Sequence, residues 1–108
     1  MNRRVAPVIH VVAVLSVVLG ACASPDWRFR TAPRQDIRID GRLYAVYVTP
    51  PGRDRQVQVI RLGWARRGDH VAILAAMRQA AVQASACALV EGSDQGDSGV
   101  MTARLDCP

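Results

Sequence analysis

Residues 87–107 read CALVEGSDQGDSGVMTARLDC, two short apolar runs flanking a turn-forming tract, with a cysteine at each end. Ala88-Leu89-Val90-Glu91 has the pattern of a strand, Ser93 to Gly99 is rich in Ser, Asp and Gly, and Val100 to Asp106 forms a second strand. If Cys87 faces Cys107, the numbers of every opposed pair add to 194, which sets Leu89 against Leu105 and Glu91 against Ala103. Cys87, Leu89, Ala103, Leu105 and Cys107 then share one face, and Val90, Thr102 and Arg104 share the other. A slip of one residue would turn the apolar set outward, so bridge, register and pattern agree. Closing a loop of about 20 residues contributes on the order of 3 kcal/mol through the entropy of the unfolded chain.

Working upstream, Gly68-Asp69 opens a helix with Asp69 as its N-cap, although Ala72 stands where a capping box would place glutamate. His70, Leu74, Met77, Ala81 and Ala84 recur at helical spacing with Ile73 beside them, so the helix runs to about Ser85 or Ala86. Its far end is alanine, which lets it lie close on a sheet. Before it, Asp36 to Val48 alternates at period two through Ile37, Ile39, Tyr44, Val46 and Val48. The phase changes at Asp40-Gly41, where either a tight hairpin or a bulge is expected. The tract Pro50-Pro51-Gly52-Arg53-Asp54-Arg55 breaks the chain, and a strand follows from Gln56 to Trp64. Residues 43–49 and 56–63 thus pair as an antiparallel hairpin. The expected fold is α+β: a small antiparallel sheet in the order β-β-α-β-β with one helix packed on one face and one disulfide. Tyr44, Val46, Val48 or their neighbours would leave apolar surface on the other face, a place for a partner.

At the other end of the chain, Arg3 and Arg4 precede an apolar run from Val11 to Leu19, which closes on Leu19-Gly20-Ala21-Cys22. Charge, hydrophobe and small residues in that order form an export signal. The last four residues resemble the lipobox of bacterial lipoprotein precursors, a leucine, two small residues and a cysteine. The resemblance covers residues 1–22 and implies cleavage after Ala21, with a covalent diacylglycerol and an N-acyl lipid on Cys22. Several acyl chains anchor stably where one is marginal. The alternative is a signal peptide cut after Ala21 or Ala23, with Cys22 incidental. Three segments follow: 1–21 a lipoprotein signal peptide, 22–35 a lipidated N-terminus and flexible tether, and 36–108 the α+β domain. Fully extended, the tether would reach some 40 Å at roughly 3.3 Å per residue. Trp27 and Phe29, interleaved with Arg28 and Arg30, either lie at the lipid interface or make the domain's first edge contact. With Cys22 acylated, Cys87 and Cys107 are an even pair in a compartment that permits disulfides. Ala23 after the cysteine points to the outer rather than the inner membrane, with the protein facing the periplasm.

All fourteen basic residues of the 108 are arginine, set against nine acidic ones. Removing Arg3 and Arg4 leaves a net charge of +3, which neither requires nucleic acid nor excludes an anionic surface. No nucleic-acid partner is expected of an exported protein. The catalytic inventory beyond the signal is thin: one histidine, His70, one glutamate, Glu91, and no lysine. Cys87 and Cys107 lack C-x-x-C spacing, a zinc site would need two more ligands, and Asp94 and Asp97 lack the ligand alternation of a calcium loop. Neither enzyme activity, metal nor dissociable cofactor is therefore expected. The function expected is that of a lipid-anchored envelope protein, a non-enzymatic structural or protein-interaction module held to the membrane by its anchor and meeting an envelope protein. The second reading is a sensor or binding module for an anionic envelope component, using Arg28, Arg30, Arg66 and Arg67.

Overall fold

A computed structural model describes residues 24–108; Cys22 and the signal-like segment lie outside the described residues. Six strands and one long helix follow in the order β1 (Arg34–Ile39), β2 (Arg42–Val48), β3 (Gln56–Leu62), α1 (His70–Ser85), β4 (Ala88–Leu89), β5 (Gln95–Gly96) and β6 (Val100–Asp106). Short 3-10 turns at Trp27–Phe29 and Arg67–Asp69 precede β1 and α1. The sheet order is β1-β2-β3-β6-β4, with β5 also paired to β6, and every pairing is antiparallel. The α+β class, the single α-helix among the described residues and the Cys87–Cys107 disulfide all match the sequence reading.

The phase change at Asp40-Gly41 is a hairpin. Both residues take positive φ, 50° and 81°, the conformation a two-residue turn needs to follow the twist of its strands. Leu43 to Val48 pairs with Leu62 to Val57 across the proline-rich loop. β3 ends at Leu62 rather than at Trp64, because Gly63 turns the chain at φ 93°. Trp64 is left 95% exposed.

One face of the sheet carries Ile39, Tyr44, Val46, Val48, Val57, Val59, Met101, Ala103 and Leu105, and α1 covers it with Ile73, Ala76, Met77, Ala80 and Ala81. The alanines bring the helix close, as expected. His70, placed on the stripe by spacing, is exposed instead. Asp69 does sit at the N-cap, but its carboxylate makes no cap bond to α1. It accepts from the Arg66 backbone N–H at 3.3 Å and from Arg42 at 2.7 Å, clasping the preceding turn to β2. At the other end Ala86 closes the helix at φ 58°, and the Ser85 hydroxyl accepts from the Cys87 N–H at 3.1 Å. Tyr44 is fully buried, and its hydroxyl has no hydrogen-bond partner among the described residues. Burial pushes its pKa up, against the opposing pull of Arg42 and Arg61.

The expectation of bare apolar surface at Tyr44, Val46 and Val48 is corrected by this packing, since all three lie under the helix. Their neighbours are covered too. On the opposite face Ala45, Tyr47 and Ile60 form a second apolar cluster, and Phe29, 0% exposed, is its plug. The segment expected to be a free tether is therefore laid against the sheet from Asp26 onward. β1 itself begins at Arg34, inside the expected tether. Leu43 to Val48 is apolar at every position, so β2 had to be covered on both sides, and an isolated phenylalanine between arginines supplied the second cover.

Candidate functional site

The second face is split. Over β2 and the Ile60 end of β3 it is apolar and plugged by Phe29; toward β6 it is polar and open. There, Gln56 and Gln58 of β3 stand opposite Arg104 and Thr102 of β6, cross-strand partners that form the floor of a groove of about 550 Å³. Asp26 and Arg28 form one wall, and Gly92, Ser93, Gln95 and Gly96 contribute to the lining elsewhere.

Each wall is tied to the sheet by a specific bond. Gln58, only 1% exposed, accepts from the Asp26 N–H at 2.9 Å and donates to the Thr102 hydroxyl at 3.2 Å. A buried amide must be paired at both ends; the first bond holds the N-terminal segment over the sheet and the second ties β3 to β6 beneath it. Arg28 donates to the Gln56 side-chain oxygen at 3.3 Å and lies 3.8 Å from the Asp26 carboxylate. On the other side, β4 keeps the expected register, Leu89 against Leu105, but only for two residues. Glu91 does not reach a position opposite Ala103. Gly92 turns the chain at φ 74°, and the Ser93 hydroxyl takes the place of a strand partner, donating to Val90 O at 2.7 Å and accepting from Arg104 N–H at 3.1 Å. Pairing resumes with β5 in a register shifted by three, Gln95 against Thr102. This bulge lifts residues 92–94 out of the ladder beside the groove.

A second cluster lies at the helix side. His70 Nδ1 is hydrogen-bonded to the Ser98 hydroxyl, and Arg61 donates to Ser98 O at 3.0 Å and to its hydroxyl at 3.4 Å. Asp97 accepts from the Gly99 and Val100 N–H groups at 2.7 and 3.0 Å. Those two bonds hold its carboxyl below the usual carboxylate range. A histidine beside a serine is the kernel of nucleophilic catalysis, which needs an accessible hydroxyl and a group that orients the imidazole. Ser98 is only 8% exposed, and among the described residues no carboxylate hydrogen-bonds His70. The cluster ties the β5–β6 hairpin to the start of α1. Nothing in the spacing of residues 70 and 98 signals this contact, which tertiary structure alone creates.

The four arginines expected to contact an anionic envelope component do not converge. Arg28 lines the groove at the start of β3, whereas Arg66 and Arg67 follow its other end. Arg30 stacks on the Trp27 ring, 4.9 Å from its centroid. The arginine that joins Arg28 in the groove is Arg104, on the face where the sequence placed it. Its guanidinium has no hydrogen-bond or ion-pair partner among the described residues.

The disulfide joins β4's leading end to the C-terminus, with the Arg55 guanidinium 3.6 Å from one sulfur and 3.4 Å from the other. Among the described residues, no group of three or more His, Cys, Asp or Glu is placed to hold a metal ion, and no helix is long and apolar enough to cross a membrane. No family model matches the chain, and no curated protein or solved structure is significantly similar to it.

Proposed function

We propose that the chain is a lipid-anchored protein of the bacterial cell envelope, held by acylated Cys22 with its α+β domain on the periplasmic side. In this reading it serves as a non-enzymatic structural or protein-interaction module, in the outer rather than the inner membrane. The observation that carries the reading is the Cys87–Cys107 pairing. It suits an oxidising compartment and leaves Cys22, at the end of an export signal, with no partner in the chain. The buried Ser98 hydroxyl and the unsupported His70 favour a non-enzymatic role.

The test is mass spectrometry of the mature N-terminus from separated membranes of the expressing bacterium. A diacylated or triacylated peptide beginning at Cys22, lost together with membrane retention in Cys22→Ala, is expected. An unacylated Cys22 in mature protein would overturn the reading. A second reading, recognition of an anionic envelope component through arginines, is favoured by Arg28 and Arg104 meeting in one groove.

A further inference from the structure

The groove's side chains are unevenly supplied with charge and hydrogen-bonding groups. Arg104 brings a guanidinium with no protein partner, and Arg28 shares one amine with Gln56 while lying 3.8 Å from Asp26. The Gln56 amide nitrogen and both ends of the Gln95 amide have no partner among the described residues. Thr102 accepts from Gln58, so its own proton remains free to donate. Against these donors stands one carboxylate, Asp26, already beside Arg28. Donors in excess of acceptors, with two guanidiniums among them, complement a group rich in acceptor oxygens and negatively charged. A volume of about 550 Å³ falls in the range of small-molecule sites, roughly 300–1,000 Å³.

We propose that this groove binds a small oxyanion, a phosphate or carboxylate group, through Arg28 and Arg104, with Gln56, Gln95 and Thr102 as neutral donors around it. The inference rests on the second reading above and gives it a location. Two sources can present such a group: a free anion, or the headgroup of an anionic lipid. The docked N-terminal segment brings the second source within reach. Asp26 is the fourth residue after Cys22, so an acylated Cys22 would hold the groove wall within about 14 Å of its lipid, at roughly 3.3–3.6 Å per residue.

The experiment uses the full chain in neutral detergent, carrying Trp64→Phe so that Trp27, next to Arg28, is the only tryptophan and can be excited selectively over Tyr44 and Tyr47. Inorganic phosphate and acetate form one arm. Vesicles of phosphatidylglycerol, compared with vesicles of phosphatidylcholine, form the other. Saturable change in Trp27 emission with the free anions, weakened about tenfold by Arg104→Gln and unchanged by Arg66→Gln/Arg67→Gln, is expected if the groove takes a free anion. The same variant pattern on phosphatidylglycerol alone identifies a headgroup as the source. Circular dichroism of Arg104→Gln, an exposed position, checks that the fold is intact. Binding that survives Arg104→Gln and Arg28→Gln but falls with Arg66→Gln/Arg67→Gln overturns the groove while keeping an arginine-based surface. No binding in either arm overturns both. Adding Cys22→Ala separates these outcomes from the question of acylation.

Discussion

Replacing Phe29 with alanine removes the plug of the second apolar cluster, and its cost distinguishes a docked segment from a tether. Phe29 is fully buried against Ala45, Tyr47 and Ile60, with Ala32 and Leu62 at the margin. Moving a phenylalanine side chain out of water is worth about 1.5–3 kcal/mol, and truncation in a core that cannot relax costs about 3–5 kcal/mol. Here the site can relax, because the plug lies near one end of the domain and the segment can lift off. The cost is then capped by the free energy of docking, which places the expectation near 3 kcal/mol. For a domain of this size that is a fall in Tm of about 12–24 °C. Urea denaturation of the full chain in detergent, followed by circular dichroism, measures it. Phe29→Leu, which keeps most of the volume, should lose only about 1 kcal/mol. A loss below about 0.5 kcal/mol for Phe29→Ala is what an exposed position gives, and it would refute the docking of residues 26–32.

Removing the bridge with Cys87→Ala/Cys107→Ala should lower stability by about 3 kcal/mol, read as a shift of the urea midpoint; an unchanged midpoint would mean that the cross-link does not restrict the unfolded chain. Gly96 has φ 111°, and a methyl group on it would collide with the Val100 backbone oxygen, so Gly96→Ala should cost at least about 2 kcal/mol and disturb the β5–β6 pairing, visible in amide hydrogen exchange of Gln95 and Thr102. Tyr44→Phe deletes a buried hydroxyl that has no partner among the described residues and should leave stability unchanged or raise it by up to about 1–2 kcal/mol; a loss above about 1 kcal/mol would show that the hydroxyl is satisfied in solution. Because backbone N–H groups depress the Asp97 pKa in the folded state, its stabilisation is complete above the ordinary carboxylate range and fades as pH falls through the lower folded value; Asp97→Asn should therefore lose less stability between pH 7 and pH 3 than the parent, and equal losses would contradict the assignment.

The parts of the fold legible in the sequence are those written in local pattern. Alternation marked β2 and β3, helical spacing and Asp69 marked α1, and two terminal cysteines set the β4–β6 register at Leu89 and Leu105. What escaped was long-range. For Phe29 the sequence leaves a lipid-interface position and a first edge contact both open, because a single aromatic between arginines carries no periodicity; the need to cover Ala45, Tyr47 and Ile60 decides for the contact. The break after Leu89 escaped as well, since a serine hydroxyl standing in for a strand partner leaves no repeating signal. The candidate groove was half visible: Thr102 and Arg104 were read onto the correct face. That β3 would be their neighbour, setting Gln58 and Gln56 opposite them, depends on strand order, which local pattern does not encode.

The interruption between β4 and β5 also governs how the protein meets its own copies. Sheets left with a long, straight rim of unpaired amides and carbonyls recruit further strands, the first step toward aggregates. On this side the outermost strands are two residues each, separated by a serine-closed kink, and no continuous template remains. The opposite rim, β1, alternates Arg34, Asp36 and Arg38 along its exposed face, where charge discourages stacking. A chain crowded among many of its own kind can thus keep its sheet to itself.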